Sequence, residues 1–186
     1  KMDDDIHPYE VLQEISRAYE GNYIITTDVG QHQIWAAHNI YIKQPGSFIT
    51  SGGLGTMGYG VPAAIGAKFA APDKEVIAIT GDGSFQMLIQ ELATIKREQV
   101  PVKIILFNNT RLGMVYELQK KRCSNRFIAT CLDGNPDFMI LAQSYGICAL
   151  RLDKKEKLKE AVCTLKDHKG PFLLEVIINP DEPTIV

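Results

Sequence analysis

Residues 75–85 read EVIAITGDGSF, a near-continuous apolar stretch that runs into a Gly-Asp-Gly turn. Residues 102–109, VKIILFNN, take the same form, apolar until they reach Asn108-Asn109. Apolar residues that do not alternate with polar ones predict strands buried on both faces, the habit of parallel strands covered by helices. Between the two strands, Glu91, Leu92 and Ile95 read as helix, so the pair forms one strand, crossover helix and strand. Asp82 and Asn109 are 27 residues apart (109 − 82), close to the roughly 30 residues of such a unit. Neighbouring strands lie about 4.8 Å apart, which would bring both side chains out at one edge of a sheet.

The same alternation extends in both directions. Upstream, His7-Pro8 opens a helix with Val11, Leu12, Ile15 and Tyr19 on one face, ending near Gly21. Tyr23 to Asp28 reads as a strand, Gln31 to Asn39 as a helix, Ser47 to Thr50 as a short strand, and Gly60 to Ala71 as a small-residue helix stopped at Pro72. Downstream, a helix is expected from Asn135-Pro136 through Phe138, Ile140 and Leu141. It is followed by a strand from Gly146 to Leu152, a helix from Lys154 to Lys169 and a last strand from Phe172 to Ile178. Tyr116 to Gly134 carries the weakest pattern and reads as a long functional loop. The whole predicts one α/β domain, a doubly wound parallel sheet of about six strands with helices on both faces.

Composition narrows the function classes. The chain has 186 residues, 45% of them hydrophobic, and a net charge of −2, an ordinary globular balance without the basic field that gathers nucleic acid or anionic lipid. Lys120-Lys121-Arg122 is short and reads as a solvated face. No apolar run approaches the roughly 20 residues of a membrane span. Cys123, Cys131, Cys148 and Cys163 follow no metal-binding or disulfide spacing, which fits reduced thiols in a cytoplasmic protein. Lys1-Met2-Asp3-Asp4-Asp5 does not read as a targeting peptide.

Ligands of open parallel sheets collect beyond the carboxyl ends of the strands. A carboxylate and an amide oxygen there, Asp82 and Asn109, make a sparse hard-oxygen set suited to Mg²⁺, which fills its remaining positions with water and phosphate oxygens. Gly83 permits close approach of a phosphate, while Ser84 and the amides that open the next helix offer donors. Each word alone is weak, since GDG is commonly a tight turn and Asn-Asn a loop.

A competing reading comes from Gly53-Leu54-Gly55-Thr56-Met57-Gly58, which spells the G-x-G-x-x-G of dinucleotide-binding turns, with Asp82 placed 24 residues beyond Gly58 (82 − 58) where a ribose-binding acid is expected. A short preceding strand, the Pro45-Gly46 before it, and the idle Asn108-Asn109 weigh against an NAD enzyme. A non-catalytic metal or nucleotide module on the same fold also remains possible from fold alone. Met57 could be core filler, and His32 and His38 ordinary helix residues; His7 and His168 read as surface groups.

Four blocks, TTDVGQHQIWAA (26–37), SGGLGTMGYGVPAAIGA (51–67), GDGSFQMLIQELATI (81–95) and NNTRLGMV (108–115), closely resemble the thiamine diphosphate (ThDP)-binding domain of the biosynthetic acetolactate synthase catalytic subunit. The resemblance implies that Asp82, Asn109 and the main-chain carbonyl of Arg111 hold Mg²⁺. It implies that Gln31, His32, Gly83, Ser84, Leu112, Gly113 and Met114 lie along the cofactor. It also gives the glycine stretch a different ligand, the aminopyrimidine: Gly55 offers it a carbonyl, Thr56 lies beside it, and Met57 wedges ThDP into a V.

The activity implied is decarboxylation of pyruvate and transfer of its two-carbon unit to a second 2-oxo acid. Pyruvate as acceptor gives 2-acetolactate and 2-oxobutyrate gives 2-aceto-2-hydroxybutyrate, both leading to branched-chain amino acids. Related ThDP enzymes, such as glyoxylate carboligase and sulfoacetaldehyde acetyltransferase, share much of the pattern. Family members are longer. A pyrimidine-binding domain with the activating glutamate and an FAD-carrying domain are absent here, so a C-terminal fragment with little turnover of its own is expected. A homodimer or tetramer assembled through those domains, and a regulatory subunit, belong to the same expectation. Leu118 stands where the family commonly has tryptophan, which implies weaker preference for 2-oxobutyrate and lower sulfonylurea sensitivity. The loop from Tyr116 is expected to carry a mobile lid.

Overall fold

A computed structural model describes residues 5–185; the acidic stretch before Asp5, read above for targeting, lies outside them. The elements in chain order are α1 (Pro8–Tyr19), β1 (Tyr23–Thr27), α2 (Gln31–Asn39), β2 (Phe48–Thr50), α3 (Gly60–Ala70), β3 (Glu75–Gly81) and α4 (Asp82–Phe85). After these come α5 (Glu91–Glu98), β4 (Lys103–Asn108), α6 (Gly113–Arg122), α7 (Phe138–Ser144), β5 (Cys148–Leu152), α8 (Leu158–Asp167) and β6 (Phe172–Ile177). Short 3₁₀ turns lead into α5 and α8.

The six strands form one sheet in the order β2-β1-β3-β4-β6-β5, and every pairing is parallel. The apolar runs explain this arrangement, because each strand must bury both of its faces. Ile77, Ile79, Ile105 and Phe107 point into a core with α1, α2 and α8, while Val76, Ala78, Ile104 and Leu106 point into a second core with α3, α5 and α7. The doubly wound fold predicted from the sequence is thus present. Its strand order reverses between β1 and β3, so the crevice at their carboxyl ends is the expected ligand position.

Several boundaries differ from the sequence reading: β5 starts at Cys148 rather than Gly146, α8 spans Leu158–Asp167 rather than Lys154 to Lys169, and two further differences lie near the strand ends. The stretch from Tyr116 is not loop throughout, since α6 continues to Arg122. None of its residues is buried, so it has no apolar stripe for periodicity to detect. The helix expected from Asn135 starts at Phe138 instead, where Asp137 caps it by accepting from the amides of Met139 and Ile140. His7 is also no simple surface group, because its Nδ1 lies 3.1 Å from a carboxylate oxygen of Glu182.

Candidate active site at the strand ends

The loops after β1, β3 and β4 meet at one end of the sheet. β3 and β4 are paired with Gly81 opposite Phe107, so Asp82 and Asn109 leave adjacent strand tips, and both line the same cavity. That cavity encloses about 190 Å³. Clefts that bury a whole drug-sized ligand usually measure about 300–1,000 Å³, so this one suits the end of a ligand.

Asn108 and Asn109 divide the work. Asn108 donates from Nδ2 to the buried Glu175 at 2.7 Å and accepts from the Thr110 amide at 3.1 Å, which shapes the turn. Asn109 donates from Nδ2 to Gln31 Oε1 at 3.0 Å, and its Oδ1 accepts from the Arg111 amide at 3.1 Å. A carbonyl oxygen has two lone pairs, so one on Asn109 Oδ1 remains for another partner. Thr110, between these residues, takes φ +56°, left-handed backbone that a β-branched residue rarely adopts.

Asp82 is buried, and burial pushes its acid up to about 6, against hydrogen bonds from Asn135 and from the main chain of Gly83 and Thr110. Gly83 faces Leu112 so closely that a Cβ there would lie 2.6 Å from Leu112 Cδ2. Ser84 lines the cavity, yet its hydroxyl is engaged locally with Thr80 Oγ1 at 3.2 Å and the Gly81 amide at 3.3 Å.

His32 is 5% exposed, and its Nε2 is a buried polar atom without a hydrogen-bond partner. Burial pushes this imidazole down to about 3, with a bond to the main chain of Asp28 acting the other way. A buried unpaired polar group costs on the order of 1–3 kcal/mol, so a polar ligand in the cavity beside it has a ready partner. Gly81 leaves the room, since a Cβ there would lie 2.8 Å from His32 Nδ1.

Of the remaining sequence-selected residues, Met57, Arg111, Leu112, Gly113 and Met114 also line the cavity. Gly55 and Thr56 are exposed and stand outside the lining. Gln31 reaches the cavity wall but spends its Nε2 on the Glu182 carbonyl at 2.9 Å and on Thr184 Oγ1 at 3.1 Å. Leu118 is about half exposed and lines a separate groove between α6 and the segment 180–185.

Asp28 was not selected from the sequence, and it accounts for the glycine pattern. Its buried carboxylate accepts from the amides of Val29 at 2.9 Å, Gly58 at 2.8 Å and Gly60 at 3.1 Å. A Cβ on Gly60 would come within 2.8 Å of the Asp28 amide, and Gly58 takes φ +89°. The amide of Gly58, the last glycine of the G-x-G-x-x-G, therefore faces a carboxylate of the chain itself rather than open space for a pyrophosphate, which weakens the NAD reading. Trp35, which bonds the Pro183 carbonyl at 2.9 Å, and Asn135, on Asp82, were also missed. Asp28 and Trp35 lie inside the block 26–37, where nothing singled them out although Asp28 follows a strand end, and Asn135 lies outside all four blocks.

Residues 28–176 match the family described as thiamine pyrophosphate enzyme, C-terminal TPP binding domain. The chain belongs to this family. It is 46% identical over 176 residues to the acetolactate synthase isozyme 2 large subunit of Escherichia coli (strain K12), covering 95% of this chain and 32% of that protein. It is 51% identical over 177 residues to a probable acetolactate synthase large subunit of Methanocaldococcus jannaschii, covering 93% and 29%. With the chloroplastic acetolactate synthase of Arabidopsis thaliana the identity is 44% over 179 residues, 92% of this chain and 27% of the relative. The chain thus spans about a third of the length of these relatives. The family's cofactor, thiamine pyrophosphate, is the ThDP that the sequence blocks implied.

The residues present fit such a cofactor. A diphosphate end suits the cavity's size and the orphaned His32 nitrogen, and a shared cation suits the oxygen donors at the strand tips. Among the described residues no group of three or more His, Cys, Asp or Glu side chains gathers to hold a metal. Among the described residues no helix is long and apolar enough to cross a membrane.

Proposed function

We propose that this chain forms the diphosphate- and cation-binding half of an acetolactate synthase active site, working with ThDP and Mg²⁺ on pyruvate and a second 2-oxo acid. The observation that carries the reading is the convergence of Asp82 and Asn109, from paired strand ends, on a cavity whose wall contains the unpartnered nitrogen of His32. The Asp82 carboxylate, Asn109 Oδ1 and the Arg111 carbonyl would be the protein's share of the Mg²⁺ shell. His32 Nε2 and the main chain of Gly83 and Ser84 would meet the diphosphate, with Gly113 admitting the Gln31 amide, whose Oε1 lies where a Cβ on Gly113 would be.

When bound, ThDP supplies the nucleophilic carbon that attacks pyruvate and carries its two-carbon unit to the acceptor. The chain's contribution is to anchor and orient. The Asp28 carboxylate fixes Gly58 and Gly60, and through them the stretch in which the Gly55 carbonyl and the Met57 side chain would hold the aminopyrimidine. Trp35, Phe107 and Ile178 on the cavity wall exclude water, which strengthens the charge interactions at the strand ends. Gln31 braces Asn109, and Leu112 and Met114 face the reacting end. Leu118, on the α6 groove, would weaken discrimination for 2-oxobutyrate. FAD, the activating glutamate, dimer or tetramer contacts and any regulatory subunit would involve the remaining length of a protein of the relatives' size, acting in the cytoplasm.

Calorimetric titration with ThDP and with NAD, each with and without Mg²⁺, tests the reading. Saturable ThDP binding that requires Mg²⁺ is expected. Binding of NAD without Mg²⁺, or of Mg²⁺ with no response to ThDP, would overturn it.

A further inference from the structure

The segment that follows α6 returns to the strand ends and pairs there. The Leu112 amide donates to the Thr130 carbonyl at 2.9 Å and the Leu132 amide to the Thr110 carbonyl at 2.8 Å, with an antiparallel bridge between Arg111 and Cys131. This pairing delivers Asn135 to Asp82, whose Oδ2 accepts from Asn135 Nδ2 at 2.7 Å.

Asn135 is not needed for the duty that its place before a helix suggests, because Asp137 caps α7. Its side chain instead enters a closed ring. Gln86 Nε2 donates to Asn135 Oδ1 at 2.8 Å and to the Asp82 carbonyl at 3.0 Å, and Asn135 Nδ2 reaches Asn108 Oδ1 at 3.5 Å. An ionised carboxylate only accepts, so it takes the NH₂ end of an amide. Gln86, by donating to the oxygen, leaves the NH₂ end facing Asp82. The ring thus holds one carboxylate oxygen and fixes the plane of the group that carries the other.

We infer that Asn135 is a positioning residue for the cation site, orienting the Asp82 carboxylate so that its second oxygen is presented to Mg²⁺, and linking the returning segment 130–135 to cation binding. The inference rests on the proposed function. Groups that orient a metal's direct ligands typically change its affinity about 10–100-fold when removed. Entropy supplies the reason, since a carboxylate held only by the main chain of Gly83 and Thr110 keeps freedom that it must lose when the cation binds.

The test titrates MgCl₂ at saturating ThDP and ThDP at saturating Mg²⁺, read by fluorescence of Trp35, the single tryptophan, which lies on the cavity wall. Wild type is compared with Asn135→Ala, with Asn135→Leu, which is close in size and has neither donor nor charge, and with Gln86→Ala. The expected result is a rise of about 10-fold or more in half-saturating Mg²⁺ for both Asn135 variants and a smaller rise for Gln86→Ala. ThDP affinity at saturating Mg²⁺ should stay near wild type, a split that a merely structural lesion does not produce.

Hydrogen exchange supplies a readout independent of fluorescence. Mg²⁺ with ThDP should slow exchange of the amides in 130–135 in wild type and less so in Asn135→Ala. If Asn135→Ala does not fold, Asn135→Leu and Gln86→Ala decide the matter. Unchanged Mg²⁺ demand in folded variants overturns the inference alone, and tighter Mg²⁺ binding would show that Asn135 competes with the cation. A wild-type protein that binds no ThDP with Mg²⁺ overturns the proposed function together with it.

Discussion

Lowering the pH from 7.5 to 5.0 should destabilise the fold through His32 by about 2 kcal/mol. Burial holds this imidazole down at about 3 in the folded chain, against an ordinary value of 6.5. Over the window between those values the unfolded chain binds a proton that the folded chain does not, so stability falls as the pH falls below 6.5. At pH 5.0 the unfolded imidazole is largely protonated, and the ratio of the two binding polynomials gives that loss of about 2 kcal/mol, rising to about 4 kcal/mol if the fold survived to pH 3. With a urea slope of roughly 2 kcal/mol per molar, the midpoint should move down by about 1 M.

Carboxylates also titrate over this range, and His168 is pushed down as well by burial and by the neighbouring Lys103. The measurement is therefore the difference between wild type and His32→Asn, each unfolded in urea at both pH values. His32→Asn should begin less stable at pH 7.5, having lost packing against Gly81 and Gly30, but it should lose about 2 kcal/mol less on acidification. Equal losses in the two proteins would refute the argument that His32 is held neutral by the fold.

Two further outcomes are expected from the backbone around the site. Replacing Asp28 with Asn puts an NH₂ group where a carboxylate oxygen accepts amide hydrogens, and it should cost about 1–3 kcal/mol in the urea midpoint, with weaker ThDP binding as the Gly58 to Gly60 stretch loosens. An unchanged midpoint would mean that those hydrogen bonds contribute nothing net. Relief of left-handed backbone at a β-branched residue, less the added freedom of the unfolded chain, should let Thr110→Gly raise stability by about 1 kcal/mol; no gain would show that the Thr110 hydroxyl bond to the Asn109 carbonyl, at 2.7 Å, outweighs the strain.

Much of this protein was legible in the sequence because burial on both faces of a sheet leaves a local mark. The apolar runs at 75–80 and 102–107 declared parallel strands, their spacing declared one crossover, and the residues just past them, Asp82 and Asn109, therefore had to emerge together. The resemblance of four sequence blocks to ThDP enzymes named the ligand that those residues suit. Helix α6 left no such mark, since it buries none of its residues and so carries no apolar stripe at helical spacing.

The tertiary structure alone decided the partnerships between residues distant in the chain. Asp28 and Gly58 are 30 residues apart, Asp82 and Asn135 are 53 apart, and Gln31 and Glu182 are 151 apart. No period or motif encodes such pairs. They exist because the sheet brings several strand ends to one edge, where buried polar groups must find partners among whatever the loops deliver. Hydrophobic pattern fixes the sheet residue by residue, whereas hydrogen-bond satisfaction at its edge is settled only once every loop is in place.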